Sequence, residues 1–215
     1  MKCSRTLGPR HRQHGFTLIE MAMVMAIIII MSTVAIMTMG PTMSDTRMNG
    51  AYDQVLMALR NARQASVTDR HVYLVTFNGG TPNNTFTVQR MIGGNTGTAD
   101  PNGLTTYTLS QTITFNNMSG IPTLNAKTPD NIGVGALPIH FDYAISGGNN
   151  SAIYFQPDGS ARDINGNINN GVVYLADGVN LYNTRAISMM GAAGRIRGWR
   201  LVPNPQTGLS QWLQQ

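Results

Sequence analysis

The stretch "HRQHGFTLIEMAMVMAIIII", His11 to Ile30, joins a basic segment to a long apolar run. Gly15 lies between the two parts, and Glu20 lies four residues after Phe16, where the apolar run begins. A charged side chain at bilayer depth costs about 2.5–3.5 kcal/mol on insertion scales. The carboxylate of Glu20 therefore needs a specific explanation.

The net charge of +5 is concentrated at the N-terminus. The first 15 residues hold four basic residues and no acid, which leaves 11 Lys and Arg against 10 Asp and Glu in the rest of the chain. Global charge is therefore no evidence for a nucleic-acid partner. The single cysteine, Cys3, lies in the same segment, so the remainder can form no disulfide. The four basic residues are Lys2, Arg5, Arg10 and Arg12.

The apolar run is too long for a secretory signal. It extends from Phe16 to Met39, and a helix of that length covers about 36 Å, against about 30 Å for the hydrocarbon core of a bilayer. No small-x-small cleavage pattern stands at its far end. We therefore predict a single membrane span with a cytoplasmic basic flank, and any cleavage is expected before the run.

The residues "GFTLIE", Gly15 to Glu20, resemble the class III leader of type IV pilins and type II secretion pseudopilins. In that family a prepilin peptidase cuts after the glycine and methylates the new N-terminal residue. The resemblance implies a leader of residues 1–15, Phe16 as the first mature residue and Glu20 as the fifth. It implies as partners the peptidase, other pilin or pseudopilin subunits and their assembly platform. In a filament, Glu20 can pair with the α-amino group of a neighbour's Phe16, which makes the charge tolerable and fixes the axial register.

Helical periodicity continues beyond the apolar run. Gly40 and Pro41 predict a kink, because proline lacks an N–H and clashes with the preceding turn. We expect one long, interrupted helix from Phe16 to about Thr68, with residues 16–39 in the membrane or filament core and 40–69 packed on a soluble domain. Small or apolar residues then recur at helical spacing and predict the buried face. They are Met48, Tyr52, Val55, Leu59, Ala62 and Ser66; Arg47, Asp53, Arg60 and Arg63 fall mainly on the other face.

From residue 70 onward the pattern is typical of strands. "FQPDGS", Phe155 to Ser160, places Pro and Asp at the centre of a type I turn and predicts a hairpin. Residues 92–103 and 116–136 are expected to be long loops. We predict an antiparallel β-domain over residues 70–202, a tail over 203–215, and an α+β fold class. The strands are expected at 71–77, 85–91, 104–115, 139–145, 152–155, 171–175, 184–190 and 195–202.

Three later segments narrow the resemblance. They are "LMALRNARQASVTDRHVYLVTF" (Leu56 to Phe77), "IYFQPDGSA" (Ile153 to Ala161) and "RAISMMGAAGRIR" (Arg185 to Arg197). In this order they resemble the GspH/FimT-type minor pilins and pseudopilins, which implies a pilin-like fold. In that fold the long helix packs against an antiparallel sheet.

The sequence offers no candidate for catalysis, and we expect neither a metal nor a cofactor. His71 and His140 are the only histidines after the leader, and neither has an acid or cysteine at catalytic spacing. "DINGNINNG", Asp163 to Gly171, faintly resembles a calcium loop. It contains one carboxylate and no closing acid, so a polar turn is the favoured interpretation.

One local charge cluster remains, "GRIRGWR", Gly194 to Arg200. Arg195 and Arg197 are expected on one side of a strand, and with Arg200 and Trp199 they suit phosphate pairing and base stacking. In some FimT-like minor pilins the corresponding Gly-Arg-x-Arg segment contributes to DNA capture. The alternative is that these arginines solvate an exposed strand or pair with Asp residues of the next subunit.

Taken together, the sequence predicts a non-catalytic minor pilin or pseudopilin of the bacterial inner membrane. It is expected to be a single-pass protein with a cytoplasmic leader and a periplasmic C-terminal domain, and to enter a filament after processing. Two roles stay open: a structural subunit of a type II secretion pseudopilus or type IV pilus, or a DNA-binding minor pilin for uptake in natural transformation. DNA is thus a further candidate partner.

Overall fold

The computed structural model describes residues 15–110, 112–122, 128–133, 137–142 and 151–215, without the side chains of residues 37–39 and 41. The expected leader, apart from Gly15, lies outside the described residues. The chain divides into two compact units, Met1–Met43 and Ser44–Gln215. One helix, α1 (Leu18–Asp69), contributes to both units.

Helical secondary structure continues through Gly40 and Pro41, so the prediction of a long helix is confirmed and that of an interruption is wrong. The kink at these two residues stays a prediction. Pro41 has no N–H to donate to the carbonyl four residues earlier, so the helix lacks one backbone hydrogen bond there. The residues on both sides keep their helical conformation despite that loss.

In the first unit the helix is apolar and exposed. Among the described residues, one stretch is long and apolar enough to cross a membrane, the 19 residues Leu18–Ile36. Every residue in this stretch is exposed, and the exposed fractions of its large apolar residues range from 92% at Leu18 to 45% at Val24. Within the described part of the first unit, no other segment covers this apolar surface.

In the second unit the same helix has a buried face. All six positions that periodicity predicts for this face are buried, and Met48, Val55 and Leu59 are fully so. Arg47, Asp53 and Arg60 of the opposite face are exposed, whereas Arg63 is half-buried. The amphipathic pattern is thus confirmed, with Arg63 as the exception.

Two antiparallel sheets complete the second unit. The strands are β1 (Val72–Phe77), β2 (Thr85–Ile92), β3 (Thr98–Thr108), β4 (Thr114–Phe115), β5 (Ile139–Phe141), β6 (Ala152–Phe155), β7 (Ala161–Arg162), β8 (Gly171–Ala176), β9 (Arg185–Met190), β10 (Arg195–Pro203) and β11 (Ser210–Gln214). The order is β3-β2-β1-β6-β7 in the first sheet and β11-β10-β9-β8-β4 in the second, where β5 also pairs with β8. Every pairing between the described strands is antiparallel, as predicted.

The main differences between observed and expected strands are at β3, β4 and β11. The expected strand 104–115 is two strands, since β3 begins inside the expected loop at Thr98 and ends at Thr108, while β4 pairs elsewhere. Ser210–Gln214 pairs with β10, so the tail extends the second sheet. The expected hairpin is confirmed, with Phe155 opposite Ala161. Residues 123–127, 134–136 and 143–150, which include parts of an expected loop and strand, lie outside the described residues.

The core lies between the helix and both sheets. Leu59 of α1, Phe77 of β1 and Ile187 of β9 belong to the same buried cluster. A second cluster, which includes Tyr174 and Leu201, covers the other face of the six-stranded sheet. Side chains alternate along a strand, so β8 contributes to both clusters and is buried throughout.

Candidate assembly segment and arginine notch

The first turn of α1 holds the residues that the leader pattern singles out. Gly15, Phe16 and Thr17 precede the helix, and the Thr17 hydroxyl oxygen accepts a hydrogen bond from the Glu20 N–H at 3.3 Å. Thr17 thus caps the helix, and an acid in the first turn interacts favourably with the helix dipole. No cation among the described residues lies within ion-pair distance of Glu20. The Thr-x-x-Glu spacing was the signal for this cap, and the sequence reasoning missed it.

Three segments that are distant in sequence meet at the end of the helix. The Arg63 side chain donates from Nε to the Gly159 carbonyl at 3.1 Å and from Nη2 to the Ala193 carbonyl at 3.0 Å. The Ser66 hydroxyl donates to the Gln156 carbonyl at 3.0 Å. The helix end, the Phe155–Ser160 hairpin and the turn before β10 are therefore joined through backbone carbonyls.

Gly194 permits this close approach. Its φ of 57° lies in the left-handed region. A Cβ on this residue would lie 1.9 Å from the Gly159 carbonyl oxygen and 2.6 Å from Arg63 Nε. Any larger residue would push the turn away from the helix, so the glycine of "GRIR" has a packing role.

A cavity of about 410 Å³ opens beside this junction, and we call it the arginine notch. Arg60, Arg63 and Arg195 line it together with uncharged residues. Among the described residues that line it there is no carboxylate. Arg195 also donates to the Met190 sulfur. Three guanidinium groups around one cavity suit an anion such as phosphate or carboxylate.

Arg197 is engaged within the chain. Its Nη1 lies 2.8 Å from Asp130 Oδ1, and the two side chains are 30% and 8% exposed. The Ser188 hydroxyl donates to the other Asp130 oxygen at 2.6 Å, and the Trp199 indole N–H donates to Ser188 at 2.8 Å. Arg197 thus holds a loop against the sheet, with an Asp of its own chain rather than of a neighbour.

Arg200 lies apart from the other two arginines of the predicted cluster. Alternation along β10 puts it on the strand face opposite to Arg195 and Arg197. It is the register partner of Arg185, which is buried and donates to the Asn49 side chain at 3.0 Å. Burial and the nearby Arg200 both lower the pKa of Arg185. The structure therefore groups Arg195 with Arg60 and Arg63, a combination that sequence spacing did not indicate.

The other sites considered from sequence have local structural roles. The two Asp163 carboxylate oxygens accept hydrogen bonds from the backbone and side-chain nitrogens of Asn167, at 2.7 and 3.0 Å. This pattern agrees with a polar turn. His71 lies 2.7 Å from the Asp69 carbonyl, and His140 is half-buried in β5. Within the described part of the chain, no group of three or more His, Cys, Asp or Glu could hold a metal ion.

Comparison with known proteins identifies the N-terminal segment. A family model described as the prokaryotic N-terminal methylation motif matches residues 10–36. The chain carries a type IV pilin-like prepilin signal. Curated proteins and solved structures yield no match to the chain.

The prepilin signal indicates the general class of the protein. It indicates a type IV pilin-like or pseudopilin protein, a class of structural subunits that are typically non-enzymatic. Such subunits assemble with other pilins and are processed by prepilin peptidase. Together with the exposed apolar helix, the signal indicates a membrane-anchored, single-pass protein.

Proposed function

We propose that this protein is a minor pilin or pseudopilin of the GspH/FimT type that assembles into a type II secretion pseudopilus or a type IV pilus. Prepilin peptidase cleaves after Gly15 and methylates Phe16 in the inner membrane. The C-terminal domain lies in the periplasm. The observation that carries the proposal is the exposed apolar stretch Leu18–Ile36 with one carboxylate in its first turn.

The exposed apolar surface of Leu18–Ile36 needs a cover both before and after assembly. Before assembly, lipid covers the apolar side chains, and in a filament the helices of neighbouring subunits replace lipid. Glu20 has no cation of its own among the described residues, so a neighbour's N-terminal amine provides the charge that offsets its burial. The pairing also fixes the stagger between subunits.

Glu20→Ala and Glu20→Gln variants test this role. We expect membrane insertion to be unchanged or slightly better, because an expensive charge is gone, while recovery in sheared filaments falls. Asp53→Ala is the matched control, since it removes an exposed acid from the same helix beyond the apolar stretch. Cell fractionation and immunoblotting of filaments provide the readout. Normal incorporation of both Glu20 variants would refute a place inside the filament shaft and would leave a tip position.

The arginine notch favours a second function, DNA binding during natural transformation. Three guanidiniums without a carboxylate among the described lining residues suit backbone phosphates, which every sequence presents alike. Arg195 of the predicted set belongs to this notch. Arg197 is paired with Asp130, and Arg200 lies on the other face of β10, so we assign the phosphate contacts to Arg195 with Arg60 and Arg63.

Binding of the full chain in detergent to duplex DNA distinguishes the two functions. We expect sequence-independent binding that falls between low salt and about 0.2 M, with a log–log slope of about −2 to −3. The Arg60→Ala, Arg195→Ala double variant should lose most of the binding. The Arg47→Ala, Arg200→Ala variant removes equal charge from outside the notch and should retain it. Absence of binding at low salt, or equal loss in both variants, would leave the structural role alone.

A further inference from the structure

A second cavity lies at the C-terminal hairpin and shares none of its described lining residues with the arginine notch. It measures about 580 Å³, within the range of small-molecule sites. Its walls come from β10, from the turn and strand that follow it, and from the short 3-10 turn Pro129–Asn131. We call it the indole pocket, because Trp199 and Trp212 both line it.

Each indole ring contacts a residue outside the pocket lining. The Trp199 N–H donates to the Ser188 hydroxyl at 2.8 Å. The Trp212 ring lies 5.6 Å from the ring of Tyr174, which is fully buried in β8. Rings fixed in this way lose little freedom when a flat apolar surface packs on them.

The rim opposite the indoles has an unusual backbone. Asp130 and Asn131 have φ values of 53° and 57°, and among the described residues Arg70 is the other non-glycine residue with positive φ. Such conformations cost of order 1–3 kcal/mol and gather at ligand-binding sites. Here Arg197 and Ser188 hold the Asp130 carboxylate, so the strained turn is fixed while the Asn131 side chain stays exposed.

The lining chemistry defines the ligand. Asp130 is the one ionisable group among the described lining residues, and Arg197 offsets its charge. The other polar groups are hydroxyls and the amides of Asn131, Asn204 and Gln211, which both donate and accept hydrogen bonds. Two indole rings beside amides match a pyranose ring, whose C–H face can stack on an aromatic ring while its hydroxyls bond to amides.

We propose that the indole pocket binds a neutral saccharide. The Asn204 side chain already donates to the Gln211 side chain at 3.0 Å. A proline or aromatic side chain of a peptide would use the indoles but would offer no hydrogen bond to the exposed Asn131 amide. An anionic ligand would meet no cation among the described lining residues and would lie beside the Asp130 carboxylate.

The two tryptophans are the only ones in the chain, so intrinsic tryptophan emission reports on this pocket alone. The full chain is kept in an amine-oxide detergent, because alkyl maltosides carry a saccharide head group. The probes are chitotetraose, cellotetraose and maltotetraose, with tetraproline as the peptide arm. We expect a saturable emission change for at least one saccharide, with a Kd of about 0.1–1 mM. No change with any saccharide up to about 10 mM, or a response to tetraproline alone, would overturn the proposal.

Asn131→Gly provides the sharper test. Glycine adopts the left-handed conformation without steric cost, so the turn is kept while the amide is removed. We expect saccharide affinity to fall about 5- to 10-fold, the value of one hydrogen bond. Leu213→Ala changes an exposed residue of β11 outside the pocket lining and should bind as the original chain does. Unchanged affinity in Asn131→Gly, with the same unfolding temperature as the original chain, would contradict the site.

Discussion

The two regions of the chain, residues 15–43 and 44–215, differ in whether their apolar side chains are exposed or buried. In the first region the large side chains of α1 are exposed, as at Leu18 and Ile36, although the segment is the most apolar part of the chain. In the second region the same helix buries Met48, Val55 and Leu59 completely against two sheets. The domain buries its own apolar side chains, whereas those of the N-terminal helix need lipid or other helices to cover them. Effects of substitutions should therefore differ in kind between the regions.

The largest expected effect is on processing of the first region. Gly15→Leu should leave an uncut precursor, because a peptidase that fits an extended backbone has no room for a side chain beside the scissile bond. Gly8→Leu is the matched control, a glycine of the expected leader away from the cleavage position. Mass spectrometry of membranes from the native host measures both. Normal processing of Gly15→Leu would show that Gly15 is not the cleavage position.

The next effect concerns packing in the second region. Gly194→Ala should destabilise the domain by about 2–5 kcal/mol, since it adds the penalty of a left-handed residue to a clash with the Gly159 carbonyl. Gly178→Ala carries a similar φ of 74° but meets nothing within 4 Å, so it should cost about 1–2 kcal/mol. Chemical denaturation of both variants isolates the clash. Equal losses would show that the three segments do not meet as tightly as described.

Much of the fold could be predicted from the sequence, because local patterns carried the information. Six helical positions from Met48 to Ser66 are buried as periodicity predicted, and "FQPDGS" forms its turn, with the Gly159 N–H donating to the Gln156 carbonyl at 2.8 Å. Strand β3 was placed too late because "TADPNG", at 98–103, reads as turn material. Strand β11 was missed because a short, largely exposed edge strand has little apolar alternation.

The candidate site was harder to predict, because its contacts are distant in sequence. Three motifs in the right order did not reveal that Arg63 binds carbonyls of two of them, 96 and 130 residues away. Nor could spacing pair Arg197 with Asp130, which lies in a region without any recognisable motif. Spacing along one strand predicts which side chains share a face, but it does not predict their partners.

A smaller difference in stability is expected between variants of two arginines of β10. Arg197→Ala should cost about 1–2 kcal/mol, because it leaves the buried Asp130 carboxylate without its cation. Arg195→Ala should change stability by less than about 0.5 kcal/mol, since the side chain is exposed. Urea denaturation of the two variants gives the comparison. A loss in Arg195→Ala as large as that in Arg197→Ala would contradict the distinct roles given to them.

The smallest expected change is in the stability of the domain when a glycine of α1 in either region is replaced by alanine. Gly50→Ala should stabilise the domain by about 0.5–1 kcal/mol, because the helical glycine is exposed and an added methyl group meets nothing within 4 Å. Gly40→Ala is equally unobstructed but belongs to the first unit, so unfolding of the domain should not change. Thermal unfolding followed by near-UV circular dichroism checks both. A shift in Gly40→Ala equal to that in Gly50→Ala would show that the two units unfold together.

We infer that the exposed helix of the first region begins a processed, assembly-competent subunit. The most direct test is the N-terminal mass of the wild-type protein isolated from its native host. We predict a mature chain that begins at Phe16 and carries one methyl group on its α-amine. An intact N-terminus at Met1, or a chain that begins beyond residue 30, would show that the protein is not processed as a prepilin.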